Sequence, residues 1–326
     1  MSVKVVALGG GHGLAASLQA LTRVTPELTA VVTVADDGGS SGRLRDELGA
    51  LPPGDLRMAL AALAGDDDWS RTWERLLQHR FTGTGPLSGH AVGNLLLAAL
   101  AETTSGVVEA LDVVGRLVGA RGRVLPSSIT PLEIVAEVVG LNPAEPGEVS
   151  QVVGQVAVAS TPGSVCALWL RPQDPPACAE AVQAVLDADY VVLGPGSWFT
   201  SVLTHLLVPE LREALVKTSA RRVVALNLAP QAGETDGFSP EAHLEVLAAH
   251  APELVLDVVL ADTEAVLDSR GLMSSVESAG GRLVLAPVAL GDGTPRHDPQ
   301  RLAEAYAGIM GTQTKGVSVE GDGAWR

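Results

Sequence analysis

Cysteine is nearly missing from this chain: Cys166 and Cys178 are the only two in 326 residues. Their spacing fits no metal site. A disulfide framework is excluded, and two free thiols of a reducing cytosol are expected. Aromatic residues are also scarce, at 3% against 46% hydrophobic overall. The core must therefore come from Ala, Val and Leu, the composition of buried parallel sheets. Positive charge is short as well, with 22 Lys and Arg against 38 Asp and Glu, for a net −16. That excludes a broad basic surface for nucleic acid or anionic membrane. Any phosphate must be met locally, by loops, helix ends and a few arginines. No apolar run reaches the roughly 18 residues of a membrane span. Met1–Leu8 reads as a strand that runs into glycines, not as a signal peptide, so a cytoplasmic protein is expected.

What is present is an alternation of strands and helices. Val3–Leu8, a glycine turn, a helix over Leu14–Arg23 and a strand over Leu28–Val34 form a βαβ opening, which is parallel and right-handed. Helices follow over Leu44–Leu48, Leu56–Ala64, Trp69–His79, Ala91–Glu102 and Val107–Val118. Val124–Leu125 and Ile134–Val139 read as strands, and Val152–Ala159 with Val165–Leu170 as a β pair. A second α/β stretch has strands at Tyr190–Leu193, Val223–Leu228, Leu254–Leu260 and Leu283–Val288, and ends in a helix over Pro299–Ile309. The expected architecture is a Rossmann-like α/β fold. Its sheet is mainly parallel, with helices on both faces and a helical insertion. Residues 1–310 form a single domain, and the polar, glycine-rich 311–326 reads as a disordered tail.

The chemistry gathers where strands end, the place open α/β sheets put their ligands. Gly10, Gly11, His12 and Gly13 open a helix whose free N–H groups suit an anion. A dinucleotide fingerprint would need glycine at Leu14. The second strand runs into Asp36, Asp37, Gly38, Gly39, Ser40, Ser41 and Arg43. Asp36 can take ribose hydroxyls, the Asp36–Asp37 pair can hold Mg²⁺ beside a diphosphate, and an Asx turn would use the same residues. Asp55 fits a helix N-cap, which leaves Arg57 pointing outward from the first turn; if the fold returns this helix to the crevice, Arg57 becomes a phosphate clamp. His90 can act as donor or acid, and Asn94 projects from the same helix start. Gly194, Pro195, Gly196, Ser197 and Thr200 make a second strand–turn–helix anion site. Asn227 ends another strand, with Glu234 and Thr235 in its loop. Arg296 precedes the last helix, which Asp298 caps. Trp69 and Trp73, four apart, read as one core-facing helix face. No P-loop occurs.

Taken in order, these motifs resemble the YvcK-type gluconeogenesis and morphogenesis factors, relatives of 2-phospho-L-lactate transferase (CofD). The resemblance spans roughly residues 3–308. It rests on Gly-Gly-Gly-x-Gly at 9–13, Val-Thr-Val-Ala-Asp-Asp-Gly-Gly-Ser-Ser-Gly-Arg-Leu-Arg at 32–45, and Pro-Pro-Gly-Asp-Leu-Arg at 52–57. Gly-His-x-x-Gly-Asn at 89–94, Leu-Gly-Pro-Gly-Ser-x-x-Thr-Ser at 193–201, Gly-Glu-Thr-x-Gly-Phe-Ser at 233–239 and His243 complete it. The resemblance implies a cytoplasmic protein that binds UDP-sugars, UDP-N-acetylglucosamine above all, with roles in cell shape and growth on non-sugar carbon. It implies no obligatory cofactor, with Mg²⁺ possible at Asp36 and Asp37, and leaves a homo-oligomer open. Related transferases use Mg²⁺ to move a phospho-lactyl group from a nucleotide diphosphate donor to a deazaflavin alcohol. His12 stands where many members carry Thr, and Arg296 matches a family arginine linked to the ligand.

Overall fold

The structure, a computed structural model, describes residues 2–231 and 233–314. A seven-stranded sheet organises it. The strands are β1 (Lys4–Gly9), β2 (Glu27–Val32), β3 (Arg123–Pro126), β7 (Tyr190–Leu193), β8 (Arg221–Ala225), β9 (Val258–Asp262) and β10 (Arg282–Ala286). They lie in the order β10-β9-β8-β7-β1-β2-β3, and every neighbouring pair is parallel. The Val-, Leu- and Ala-rich runs explain this: β7 and β9 are buried along their whole length. Only a sheet covered on both faces buries a strand that way. Each Val or Leu so enclosed contributes about 1.5–3 kcal/mol.

The topology fixes where a ligand can sit. From β1 the chain steps through β2 to β3 at one edge. It later returns to β7, on the other side of β1, and steps through β8 and β9 to β10. Right-handed crossovers running in opposite directions place their helices on opposite faces and open a crevice at the reversal. The crevice therefore lies beyond the carboxyl ends of β1 and β7. On one face α1 (Gly11–Leu21) packs against α3 (Gly54–Ala62) and α12 (Pro299–Met310), while α8 (Ala179–Leu186) packs against α9 (Pro209–Lys217). The two clusters hold no helix in common.

Between β2 and β3 lies the helical insertion: α2 (Gly39–Leu48), α3, α4 (Asp68–Gln78), α5 (Val92–Thr103) and α6 (Val107–Leu117). After β3 comes a small antiparallel sheet of β4 (Glu133–Val139), β5 (Val149–Val153) and β6 (Ser164–Arg171), in the order β5-β4-β6. A short helix, α7 (Gln155–Ala159), joins β5 to β6. The remaining helices are α10 (Pro240–His250) and α11 (Ser269–Ser278).

Several local expectations change. Val152–Ala159 is not one strand paired with Val165–Leu170; β5 and β6 both pair with β4. Gly154, at φ 101°, ends the extended run. Asp37, from a distant crossover, then accepts the N–H of Val156 in the first turn of α7 at 3.0 Å. The Leu254–Leu260 strand begins only at Val258, because Leu254 and Leu256 are buried in an unpaired connection. Likewise β10 spans Arg282–Ala286 rather than reaching Val288. The helix expected over Leu44–Leu48 starts earlier, at Gly39. Trp69 is 61% exposed rather than in the core; its ring lies 5.7 Å from that of Trp73 and its indole N–H donates to Leu117 O. Gly311 caps α12 in the left-handed conformation, and residues 315–326 of the expected tail lie outside the described residues. Both cysteines are free, and no described helix is long and apolar enough to cross a membrane.

Candidate functional site

The loops after β1, β2, β7 and β8 converge. Gly13, in the first turn of α1, lies so close to the second glycine turn that a Cβ there would overlap Pro195 O and stand 2.6 Å from Gly196 Cα. Gly10 is equally confined: its Cβ would stand 2.5 Å from Asp55 Oδ2, 2.7 Å from Thr33 Cγ2 and 3.2 Å from Ser201 Oγ. These two positions explain why the turn needs glycine. They also place the turns at 10–13 and 194–201, the end of β2 and the start of α3 around one point.

Two helix ends face this crevice. The N-caps of α1 and α2 are Gly10 and Gly38, which have no side chain to cap with; the Asp55 side chain takes the Gly11 N–H of α1. The first return bonds are Leu14 N–H to Gly10 O and Ser41 N–H to Gly38 O. The preceding N–H groups have no helical partner and carry the positive end of the helix dipole. His12 is exposed beside them.

Half-buried Asp36 and buried Asp55 and Arg57 form a charged floor. Asp36 Oδ1 accepts the N–H of Gly38 at 2.9 Å in an Asx turn, and its Oδ2 packs against Gly54 along with Ser41 Oγ. Asp55 does not cap α3, whose N-cap is Pro53. Its side chain is buried instead, and Oδ2 has no partner. Burial first, and the Asp36 carboxylate second, push the Asp55 carboxyl up from 3.8 to about 7, against the opposing pull of the Gly11 N–H and Arg57. Arg57 does not point outward. It is 4% exposed, donates from Nε to Asn94 Oδ1 at 2.8 Å, and is brought down to about 10, mainly by burial. Its stem lies against Gly93, where a Cβ would meet Cγ and Cδ at 2.9 Å. The buried guanidinium also feels the Asp55 and Asp36 charges, which raise its proton affinity against burial.

Asn94 ties this floor to α2. Its Nδ2 donates to Ser40 Oγ at 3.1 Å, and Ser40 Oγ lies 2.9 Å from His90 Nδ1. Ser40 Oγ accepts from Asn94 and, at 3.4 Å, from the Ala91 N–H, which fills both its lone pairs and leaves its hydroxyl to donate to an unprotonated His90 Nδ1. Burial, then the Arg43 charge, lowers His90's proton affinity and favours that form. Arg43 donates to the carbonyls of Ser88 and Pro86, so its guanidinium braces the loop before α5. Asp37 holds the start of α7, as described, so it is Asp55 rather than Asp37 whose carboxylate joins Asp36 in the floor.

The second glycine turn differs from the first. Gly196 N–H donates to Asn227 Oδ1 at 2.9 Å, and Asn227 Nδ2 donates back to Gly196 O at 2.8 Å. A π-helical turn, Trp198–Val202, follows. Its Thr200 N–H donates to Glu234 Oε1 at 2.8 Å, and the Ser197 hydroxyl donates to Glu234 Oε2. The chain's own carboxylate thus occupies the position expected for a bound anion. Burial pushes the Glu234 carboxyl up while these donors hold it down. Thr235 is buried and its Oγ1 accepts the Gln231 N–H. Arg296 stands apart from these contacts: it is exposed and pairs with Asp292 and Thr294 at the end of a loop after β10.

Sequence reasoning missed Thr33, whose buried Oγ1 has no partner beside Gly10. It also missed Asp262, which accepts four backbone N–H groups and clamps the ends of β9 and β10. Thr33 lies in the strand part of the 32–45 motif, where it reads as a β-branched strand residue; Asp262 lies in no motif. A cavity of about 730 Å³ bounded by Leu48, Pro53, Leu56, Glu102, Val107 and Ile129 contains none of the predicted residues. The site is placed by the converging loops.

Residues 5–279 match the family described as 2-phospho-L-lactate transferase CofD. The chain is 50% identical over 345 residues to a Mycobacterium tuberculosis protein named "Putative gluconeogenesis factor", covering 100% of each. It is 35% identical to the gluconeogenesis factor of Listeria monocytogenes, covering 95% of this chain and 97% of that one. A crystal structure of a UPF0052 family member from Bacillus halodurans superposes with a TM-score of 0.82 at 34% identity, covering 94% of this chain and 98% of the other.

Proposed function

The chain belongs to the CofD family, and from that premise we propose that it is a gluconeogenesis factor that binds a nucleotide-diphosphate sugar of the UDP-N-acetylglucosamine type. In this reading it regulates cell shape and growth on non-sugar carbon in the cytoplasm. The observation that carries it is the convergence at the β1/β7 reversal. Two helix ends with glycine N-caps there face a floor of half-buried Asp36 with buried Asp55 and Thr33. The N–H groups of α1 and α2 suit a diphosphate, and the open polar atoms of Thr33 and Asp55 await a partner.

The floor also suits Mg²⁺. Asp55 Oδ2 is a buried, unpartnered carboxylate oxygen beside a second carboxylate. Mg²⁺ takes one or two such ligands, with phosphate oxygens and waters completing its shell. Among the described residues no group of three or more His, Cys, Asp or Glu side chains is arranged around a metal, so the ligand would supply the rest. Asp36 and Asp55 would hold the ion, and it would neutralise charge on the diphosphate. That pair supports a second reading, a phospho-lactyl transferase of the kind the family is named for. Titration calorimetry with UDP-N-acetylglucosamine, with and without Mg²⁺, tests the first. Binding without turnover supports a sensor. Phosphodiester formation on a deazaflavin alcohol supports the transferase, and no binding of any nucleotide diphosphate refutes both.

A further inference from the structure

The two glycine turns of the crevice are electrostatically unlike. The first leaves the N–H groups of His12 and Gly13 without a bond among the described residues, the Gly11 N–H being taken by Asp55. The second has its N–H groups met from within the chain: Asn227 takes Gly196, and Glu234 takes Thr200 together with the Ser197 hydroxyl. Glu234 is only 6% exposed. Trp198 Nε1 and Thr200 Oγ1, both fully buried in the same turn, have no partner. Contact between Gly13 and Pro195–Gly196 makes the two turns adjoin. A ligand whose phosphates rest on α1 therefore meets a carboxylate-bearing turn next to them.

We propose that Glu234 makes the second turn a subsite for the uncharged, hydroxyl-bearing part of the ligand, and selects against ligands that carry negative charge there. The inference rests on the nucleotide-diphosphate-sugar reading above. A buried carboxylate, flanked by the Ser197 and Thr200 hydroxyls, accepts hydrogen bonds from sugar hydroxyls. A second anion beside it meets like charge in a weakly screened site. Asp236, the nearest acidic neighbour in sequence, is turned to the N–H of Gly233, so the carboxylate at the turn is that of Glu234.

Calorimetry on the full chain tests this with UDP-N-acetylglucosamine, UDP-glucuronate and the methyl ester of UDP-glucuronate. The uronate is expected to bind about tenfold or more weakly than the neutral sugar, because like charges oppose each other. The ester, which has the shape without the charge, is expected to recover most of that loss. In Glu234→Gln, checked for folding by thermal melt, the ratio between neutral and acidic sugar is expected to fall within about threefold. Equal wild-type affinity for uronate and neutral sugar overturns the inference. So does an ester as weak as the acid, or an undiminished ratio in folded E234Q. If none of the nucleotides binds, the underlying reading falls, which is a different outcome from binding without discrimination.

Discussion

Asp55→Asn should make the ligand-free protein more stable and less dependent on pH. The carboxyl is buried, one oxygen is unpartnered, and its folded pKa stands near 7 against 3.8 for a free side chain. Below about pH 4 both the folded and unfolded chains carry the proton, and the group costs nothing. Between about 4 and 7 the folded chain keeps a proton that the unfolded chain has lost. Stability therefore falls as pH rises through that window, by up to roughly 1.4 kcal/mol per pH unit. The whole interval sets an upper bound of about 4 kcal/mol, fully felt above pH 7. Asn keeps the shape and an oxygen for the Gly11 N–H, and it never ionises. Urea unfolding of both proteins between pH 4.5 and 8 gives the difference directly, so other carboxylates cancel. The difference should grow in favour of Asn as pH rises, while nucleotide binding with Mg²⁺ weakens. A flat difference, or Asn destabilising at pH 8, would refute the burial argument.

Other consequences can be measured the same way. Gly13→Ala places a methyl group against Pro195 O and Gly196; it should cost about 1–3 kcal/mol in denaturant unfolding and abolish nucleotide binding. Gly11→Ala meets no atom within 4 Å and is opposed only by its φ of 58°, so about 1–2 kcal/mol is expected. Asn94→Leu leaves Arg57 Nε without its acceptor and Ser40 without its donor; a loss of about 2–3 kcal/mol should appear in the same unfolding experiment. Arg296→Ala removes an exposed i,i+4 pair with Asp292, so its stability should change by less than about 0.5 kcal/mol, and any larger effect belongs in ligand binding.

Much of the fold was legible because it is written in local patterns. The runs at 5–8, 190–193 and 223–225 are apolar on both faces, which only a covered parallel strand explains. Glycine turns directly after strands announce a ligand crevice of the Rossmann kind. Misreadings occurred where a distant residue decides the local conformation. Val152–Ala159 looks extended until Asp37, 119 positions from Val156, takes its N–H. Asp55 looks like an N-cap because sequence shows that it opens a helix and cannot show that Gly10 and Asp36 close over it.

The residues alone determined the alternation of strands and helices, the absence of a basic surface, and the clustering of glycines and carboxylates at strand ends. These follow from side-chain period, charge and backbone freedom, which act within a few neighbours. Only the tertiary structure decided which carboxylates meet, that Arg57 turns inward to balance them, and that Glu234 fills the turn a phosphate was expected to fill. Burial and Coulomb interactions depend on separation in space, and the chain brings residues 36, 55 and 94 together only once the helices of the insertion pack against one another and against α1 and β2.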